Sequence, residues 1–169
     1  MLVVSRYSFK NGLESLETER PSELSDVLKA IELADLRKCT EPGKPGKPLY
    51  SPKAMSREIL NSLYSTGWSR PKVPLGGREN LIEGDALMNG VGLEVQFGRY
   101  SFLGWDSLRK MSLLGEHGIC KLGIEIVPMA SLRQRMSKGV GSFEQVTERL
   151  EKAGNLGLKI PVLVLGIDG

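Results

Sequence analysis

The segment IEGDALMNGVGLEVQFG, residues 82–98, decides how the rest of the chain is read. Asn89-Gly90 stands between two short alternating runs. That dipeptide is the strongest short-range signal for a two-residue hairpin turn, because both central residues of such a turn need positive φ. The turn fixes the register. Met88 should face Val91, Leu87 Gly92, Ala86 Leu93 and Asp85 Glu94. Directly opposed residues share a face, with Cβ atoms roughly 4.5–5.5 Å apart. Two carboxylates so placed repel each other. Either a divalent cation with oxygen ligands lies between them, or the face is solvated and the repulsion is screened. Spacing alone leaves both readings open. The strand period adds Gln96 to the face of Glu94, and Glu83 to that of Asp85. Leu93, Val95 and Phe97 take the opposite, core-facing side.

The pattern on either side mixes strands and helices. Residues 1–8 read as a strand. A helix is expected from about Ser22 to Lys38, after Pro21, with Ser22 as cap and Val27, Ile31, Leu33 and Leu36 as its apolar stripe. EPGKPGKPLY, residues 41–50, is a basic loop. Ser51-Pro52 opens a second helix, with Ser51 as N-cap and Met55, Ile59, Leu60 and Leu63 buried, and Gly67 ends it. Residues 68–77 read as irregular. Another helix spans 101–115, with Trp105, Leu108, Met111 and Leu114 on one side. Residues 119–129 alternate as a strand. The loop 137–141, SKGVG, leads into a helix in which Ser142 and Gln145 fit a capping box. IPVLVLGI, residues 160–167, is a continuous apolar run suited to a strand buried on both faces. The fold class expected is α/β, a central mixed β-sheet flanked by helices, in one domain over residues 1–169.

Composition is ordinary for a globular protein: 40% hydrophobic, 25% charged, net charge +3. The charge permits contact with phosphate backbones without requiring it. The longest apolar run is too short to span a bilayer, and the first residues do not resemble a signal peptide. Cys39 and Cys120 have no metal-type spacing and read as reduced thiols. These features point to a cytoplasmic protein. His117, the single histidine, falls in a glycine-flanked loop. Met111, Met129, Met136, Trp68 and Trp105 read as packing residues.

Beyond these patterns, particular residues carry a resemblance. Asp85, with Glu94-Val95-Gln96-Phe97 nine positions on, then Tyr100 and Phe102, resembles the BglII/BstYI family of type II restriction endonucleases. That family carries a PD-(D/E)xK nuclease motif ending in Gln instead of Lys. YSFKNGLE, LYSPKA, TGW, EVQFGRYSF, IEIVPM and VLVLGI look like the BstYI branch and occur in the same order, over most of the chain.

The resemblance implies a restriction-endonuclease-like fold and a sequence-specific enzyme. Asp85 and Glu94 would be metal-binding carboxylates, the Val95 carbonyl a further ligand, and Gln96 the occupant of the usual lysine position. It implies Mg²⁺ as cofactor and duplex DNA as substrate. A homodimer would break both strands of a palindrome with a GATC-like core, beside a cognate methyltransferase in the same cell. The long insertion of the BstYI branch before the hairpin is absent. Specificity positions of the family fall on Arg99 and Lys138. Arg99, Ser137 and Lys138 are therefore the candidates for reading DNA, and Lys72, with Arg70, for gripping phosphate. Two rivals stand beside this reading: a nuclease of the same fold with little sequence specificity, and a non-catalytic DNA-binding protein.

Overall fold

The computed structural model describes residues 1–36, 38–39, 49–74, 81–98, 105–136, 139–153 and 158–169. In chain order the elements are β1 (Leu2–Phe9), α1 (Gly12–Glu19), α2 (Pro21–Leu33), β2 (Lys38–Cys39), β3 (Leu49–Tyr50), α3 (Pro52–Ser65), β4 (Lys72–Pro74), β5 (Leu81–Glu83), β6 (Ala86–Met88), β7 (Val91–Val95), α4 (Trp105–Glu116), β8 (Leu122–Pro128), α5 (Ala130–Gln134), α6 (Phe143–Ala153) and β9 (Val162–Asp168). Five strands form one mixed sheet in the order β1-β9-β8-β7-β6. The β7-β8 and β8-β9 pairs are parallel, and the two outer pairs are antiparallel. The expected α/β class and central mixed sheet are what the chain adopts.

Alternation along the strands sorts the core into two layers. Leu93, Val95, Ile124, Ile126, Leu163 and Leu165 face α2 and α3, where they meet Val27, Ile31, Met55, Ile59 and Leu63. Val127, Val162 and Val164 face α4 and α6, where they meet Met111, Leu114, Val146 and Leu150. The strand β9 lies between two neighbours and under both layers, so its continuous apolar run is buried on both sides.

Several local expectations hold. The Ser51 hydroxyl accepts the Ala54 N–H at 3.3 Å and caps α3. The Ser142 N–H donates to Gln145 Oε1 at 3.2 Å, one half of a capping box. Trp68 is buried and donates its indole N–H to Asp26 Oδ2 at 3.2 Å. Met111 and Met136 are core residues.

Other expectations need correction. The helix predicted over 22–38 is α2, and it begins at Pro21 and stops at Leu33. Ser22 does not cap it; its hydroxyl donates to Glu23 Oε2 instead. Leu33 is 64% exposed and lies off the stripe, whereas Leu24 is buried on it. Ala34 is extended, and the Asp35 N–H turns to Glu58 Oε2 on α3. Docking against α3 thus ends the helix before its apolar period does. A short helix, α1, precedes α2 without a sequence signal of its own; Gly12 lets it start hard against β9. The stretch called irregular, 68–77, contributes β4, which pairs with β5 as a separate two-stranded sheet. Part of the loop at 41–50 pairs as well, through β3 with β2. The basic residues 41–48 lie outside the described residues.

Candidate active site

The hairpin predicted from Asn89-Gly90 is present, with φ of +48° and +81° at the two turn residues. Pairing follows the expected register from Met88–Val91 to Ala86–Leu93. The tip is tied to the start of α2. Asn89 Nδ2 donates to Glu23 Oε1 at 2.6 Å, and Arg20 Nε donates to the Asn89 carbonyl at 3.0 Å.

The ladder ends one residue short of the acids. Asp85 is not a strand residue, and the first hairpin strand is broken at Gly84-Asp85. Glu83 therefore does not share a strand face with Asp85. It belongs to β5, where it pairs with Lys72. The break has a physical cause. The Gly84 N–H donates to the Pro71 carbonyl at 3.2 Å, so β5 follows β4 instead of β7. A side chain at Gly84 would meet Pro71 Cγ at 2.8 Å and Glu94 Oε1 at 3.4 Å.

Free of the ladder, the two acids hold each other through backbone amides. The Asp85 N–H donates to Glu94 Oε1 at 3.2 Å. The Val95 N–H donates to Asp85 Oδ2 at 2.8 Å. Tyr64 on α3 donates its hydroxyl to the Asp85 carbonyl at 2.6 Å. Glu94 is buried while Asp85 is half-buried, so this is not an open acidic face. Burial first, and the Asp85 charge second, push the Glu94 carboxyl up to about 8. One cation opposes this: Lys110 Nζ on α4 stands 3.3 Å from Glu94 Oε2.

Gln96 follows the last residue of β7, is half-buried, and donates its backbone N–H to the Ile126 carbonyl at 2.8 Å. The Val95 carbonyl accepts the Phe97 N–H at 3.0 Å, which leaves its second lone pair. The acids thus sit at the carboxyl end of β7, a strand parallel to β8, where open α/β sheets place their ligands.

Among the described residues no group of three or more His, Cys, Asp or Glu side chains could hold a metal. Asp85, Glu94 and the Val95 carbonyl are instead a small set of hard oxygen donors. Such a set fits a hard divalent cation of the Mg²⁺ kind, which keeps several waters and takes only one or two protein carboxylates.

The remaining candidates are dispersed. Lys72 and Arg70 both pair with Glu83, at 3.2 Å and 3.4 Å, beside the acids. Lys72, then Arg70, hold the Glu83 carboxyl below its ordinary range. Arg99, Ser137 and Lys138 lie outside the described residues. His117 follows α4, with Nδ1 2.8 Å from the Leu113 carbonyl. Cys120 is free and buried, and burial pushes its thiol up to about 11.

Sequence reasoning missed three neighbours of the site. Tyr64 and Lys110 gave no signal, each being one polar residue on an amphipathic helix. Glu125 did give one: a single acid inside the apolar run of β8. It is fully buried and pairs in register with Glu94, on the same face of the sheet.

The family model described as restriction endonuclease BglII/BglIII matches residues 4–167. The chain belongs to that restriction endonuclease family. It is accordingly a sequence-specific type II restriction endonuclease, a site-specific deoxyribonuclease. The fold agrees. A crystal structure of BglII complexed with a DNA 16-mer superimposes with a TM-score of 0.79 at 16% identity, covering 98% of this chain and 78% of that one. A crystal structure of free BglII gives 0.72 at 17%, covering 98% and 79%. Comparison with curated proteins gives no match. Among the described residues of this BglII/BglIII family member, no helix is long and apolar enough to cross a membrane.

Proposed function

We propose that this endonuclease hydrolyses duplex DNA at a palindromic site as a Mg²⁺-dependent homodimer, with Asp85, Glu94 and the Val95 carbonyl as metal ligands. The observation that carries the reading is the mutual hold of Asp85 and Glu94 at the end of β7. Two carboxylates are kept together there despite their repulsion, one of them buried, in a fold shared with a DNA-bound nuclease. When bound, Mg²⁺ supplies charge neutralisation at the scissile phosphate and an acidified water.

The chain's own groups do the rest. The amides of Asp85 and Val95 fix which carboxylate oxygens point where. Tyr64 holds the backbone of Asp85. Gln96 has no titratable proton at neutral pH, so it orients a water or a phosphate oxygen by hydrogen bonds instead of acting as base. Lys72 and Arg70 are the phosphate contacts in this reading; their Glu83 partner is exposed enough to exchange for a phosphate. Arg99, Ser137 and Lys138 contact the DNA, and Arg99 reads guanine. The site sequence has a GATC-like core, as in the BstYI branch. The enzyme works in the cytoplasm beside a methyltransferase that protects the host's own sites.

Digestion of a known genome with Mg²⁺, followed by sequencing of the ends, tests this reading. Discrete ends at one palindrome are expected. Dispersed ends would establish a low-specificity nuclease, and no metal-dependent ends would establish a DNA binder without catalysis.

A further inference from the structure

Lys110 reaches the site from outside the motif. On α4, Met111 and Leu114 are buried against the sheet, and Lys110 stands one turn before Leu114 on the same side. Its stem carries the amine to Glu94 Oε2, 3.3 Å away. The two partners differ in freedom: the lysine side chain is 39% exposed, the glutamate side chain 4%.

The two oxygens of Glu94 are held differently. Oε1 takes a backbone N–H, that of Asp85, which cannot move without disturbing the hairpin. Oε2 takes an ammonium on four rotatable bonds. An ammonium and a divalent cation cannot share one oxygen without strong repulsion. Among the described residues, Oε2 is thus the oxygen that a metal would reach by displacing a side chain instead of a backbone amide.

We propose that Lys110 is a displaceable counter-ion, which holds Glu94 in place in the metal-free enzyme and competes with the divalent cation for Glu94 Oε2. The inference rests on the assignment of Asp85 and Glu94 as metal carboxylates. It makes Lys110 a positioning residue that lowers metal affinity. A lysine that supported the metal site would raise it, and one that only packed α4 would leave it unchanged.

Binding of Mn²⁺ to the DNA-free protein at pH 8.5, with Glu94 ionised, followed by electron paramagnetic resonance of the free ion, tests the proposal without reference to cleavage. Lys110→Met and Lys110→Gln remove the charge and keep much of the stem. Each should bind Mn²⁺ more tightly than wild type, by on the order of fivefold to tenfold for loss of one nearby charge in a water-facing site. Lys110→Arg keeps the charge and should stay near wild type. Asp85→Asn should lose binding whether or not Lys110 is present. Running both neutral variants keeps the test alive if one of them folds poorly. Unchanged or weaker binding in a folded neutral variant, with wild type binding normally, overturns the role of Lys110 alone. Failure of wild type to bind Mn²⁺, or undiminished binding by Asp85→Asn, overturns the metal assignment and the inference with it.

Discussion

Glu94 combines a buried carboxylate, an acidic neighbour and a half-exposed lysine partner, and its titration has consequences for folding. Burial and Asp85 raise its carboxyl to about 8 from an ordinary 4.5. Below pH 4.5 both the folded and the unfolded chain hold the proton, and the group costs nothing. Between 4.5 and 8 the unfolded chain releases it while the folded one keeps it. Above 8 both are ionised and the folded state carries the full penalty. The contribution of Glu94 to metal-free stability therefore falls as pH rises through that window, by on the order of a few kcal/mol at most. Denaturant unfolding of metal-free protein at pH 5 and pH 8.5 should show the loss, and Glu94→Gln should flatten it. An unaltered slope in the variant would place the pH dependence elsewhere. The same variant, and Asp85→Asn, should abolish cleavage on the proposed reading, a loss beyond the roughly 10–100-fold that even an outer partner of a metal site costs. Near-wild-type cutting by either would sink the metal assignment. Arg99 calls for a different measurement. If it reads guanine, Arg99→Ala should lose about 1–3 kcal/mol at one base-pair position. Binding to a panel of singly substituted sites checks this, and a uniform loss across the panel would make Arg99 a phosphate contact.

Among the elements, α1 shows how closely helix and sheet can be joined. It follows Lys10 and Asn11, both at positive φ, and opens at Gly12. A Cβ at Gly12 would stand 2.3 Å from the carbonyl carbon of Val162 and 2.4 Å from its oxygen. The obstacle is backbone at the start of β9, which cannot rotate away as a side chain would. Gly12→Ala should therefore destabilise the protein by roughly 1–3 kcal/mol or more, against the usual benefit of alanine in a helix. Thermal melting followed by circular dichroism measures it, and a melting temperature at or above wild type would show that the approach relaxes. The hairpin makes the complementary case. Its turn was legible because Asn-Gly demands one conformation, and its register followed from that turn. The helices were legible where a cap and a stripe coincided, as at Ser51, and misjudged at Ser22, where Pro21 was already helical.

For the whole molecule, the proposed reading gives each chain one metal site at Asp85 and Glu94, and one such site would cut one strand at a time. A double-strand break at a palindrome is most simply made by a two-fold dimer. Light scattering should give about twice the monomer mass at micromolar concentration or once DNA is bound. A strict monomer in the presence of DNA would count against paired cutting. The chain covers 78% and 79% of the two BglII chains it resembles, so the sheet and its flanking helices are the shared part.

Sequence alone determined the hairpin, its register from Met88–Val91 to Ala86–Leu93, the buried strand β9 and the family. Each of these follows from local rules: a turn dipeptide, a period of two, an unbroken apolar run, a motif of fixed spacing. What it could not contain was decided between elements far apart in the chain. Gly84 leaves the ladder because Pro71 accepts its N–H. The α2 helix stops where Glu58 on α3 takes the Asp35 amide. Tyr64 and Lys110 come to the acids from two helices, 21 and 16 residues away in sequence. Contacts of that range depend on how whole layers pack, and no periodicity within either segment records them.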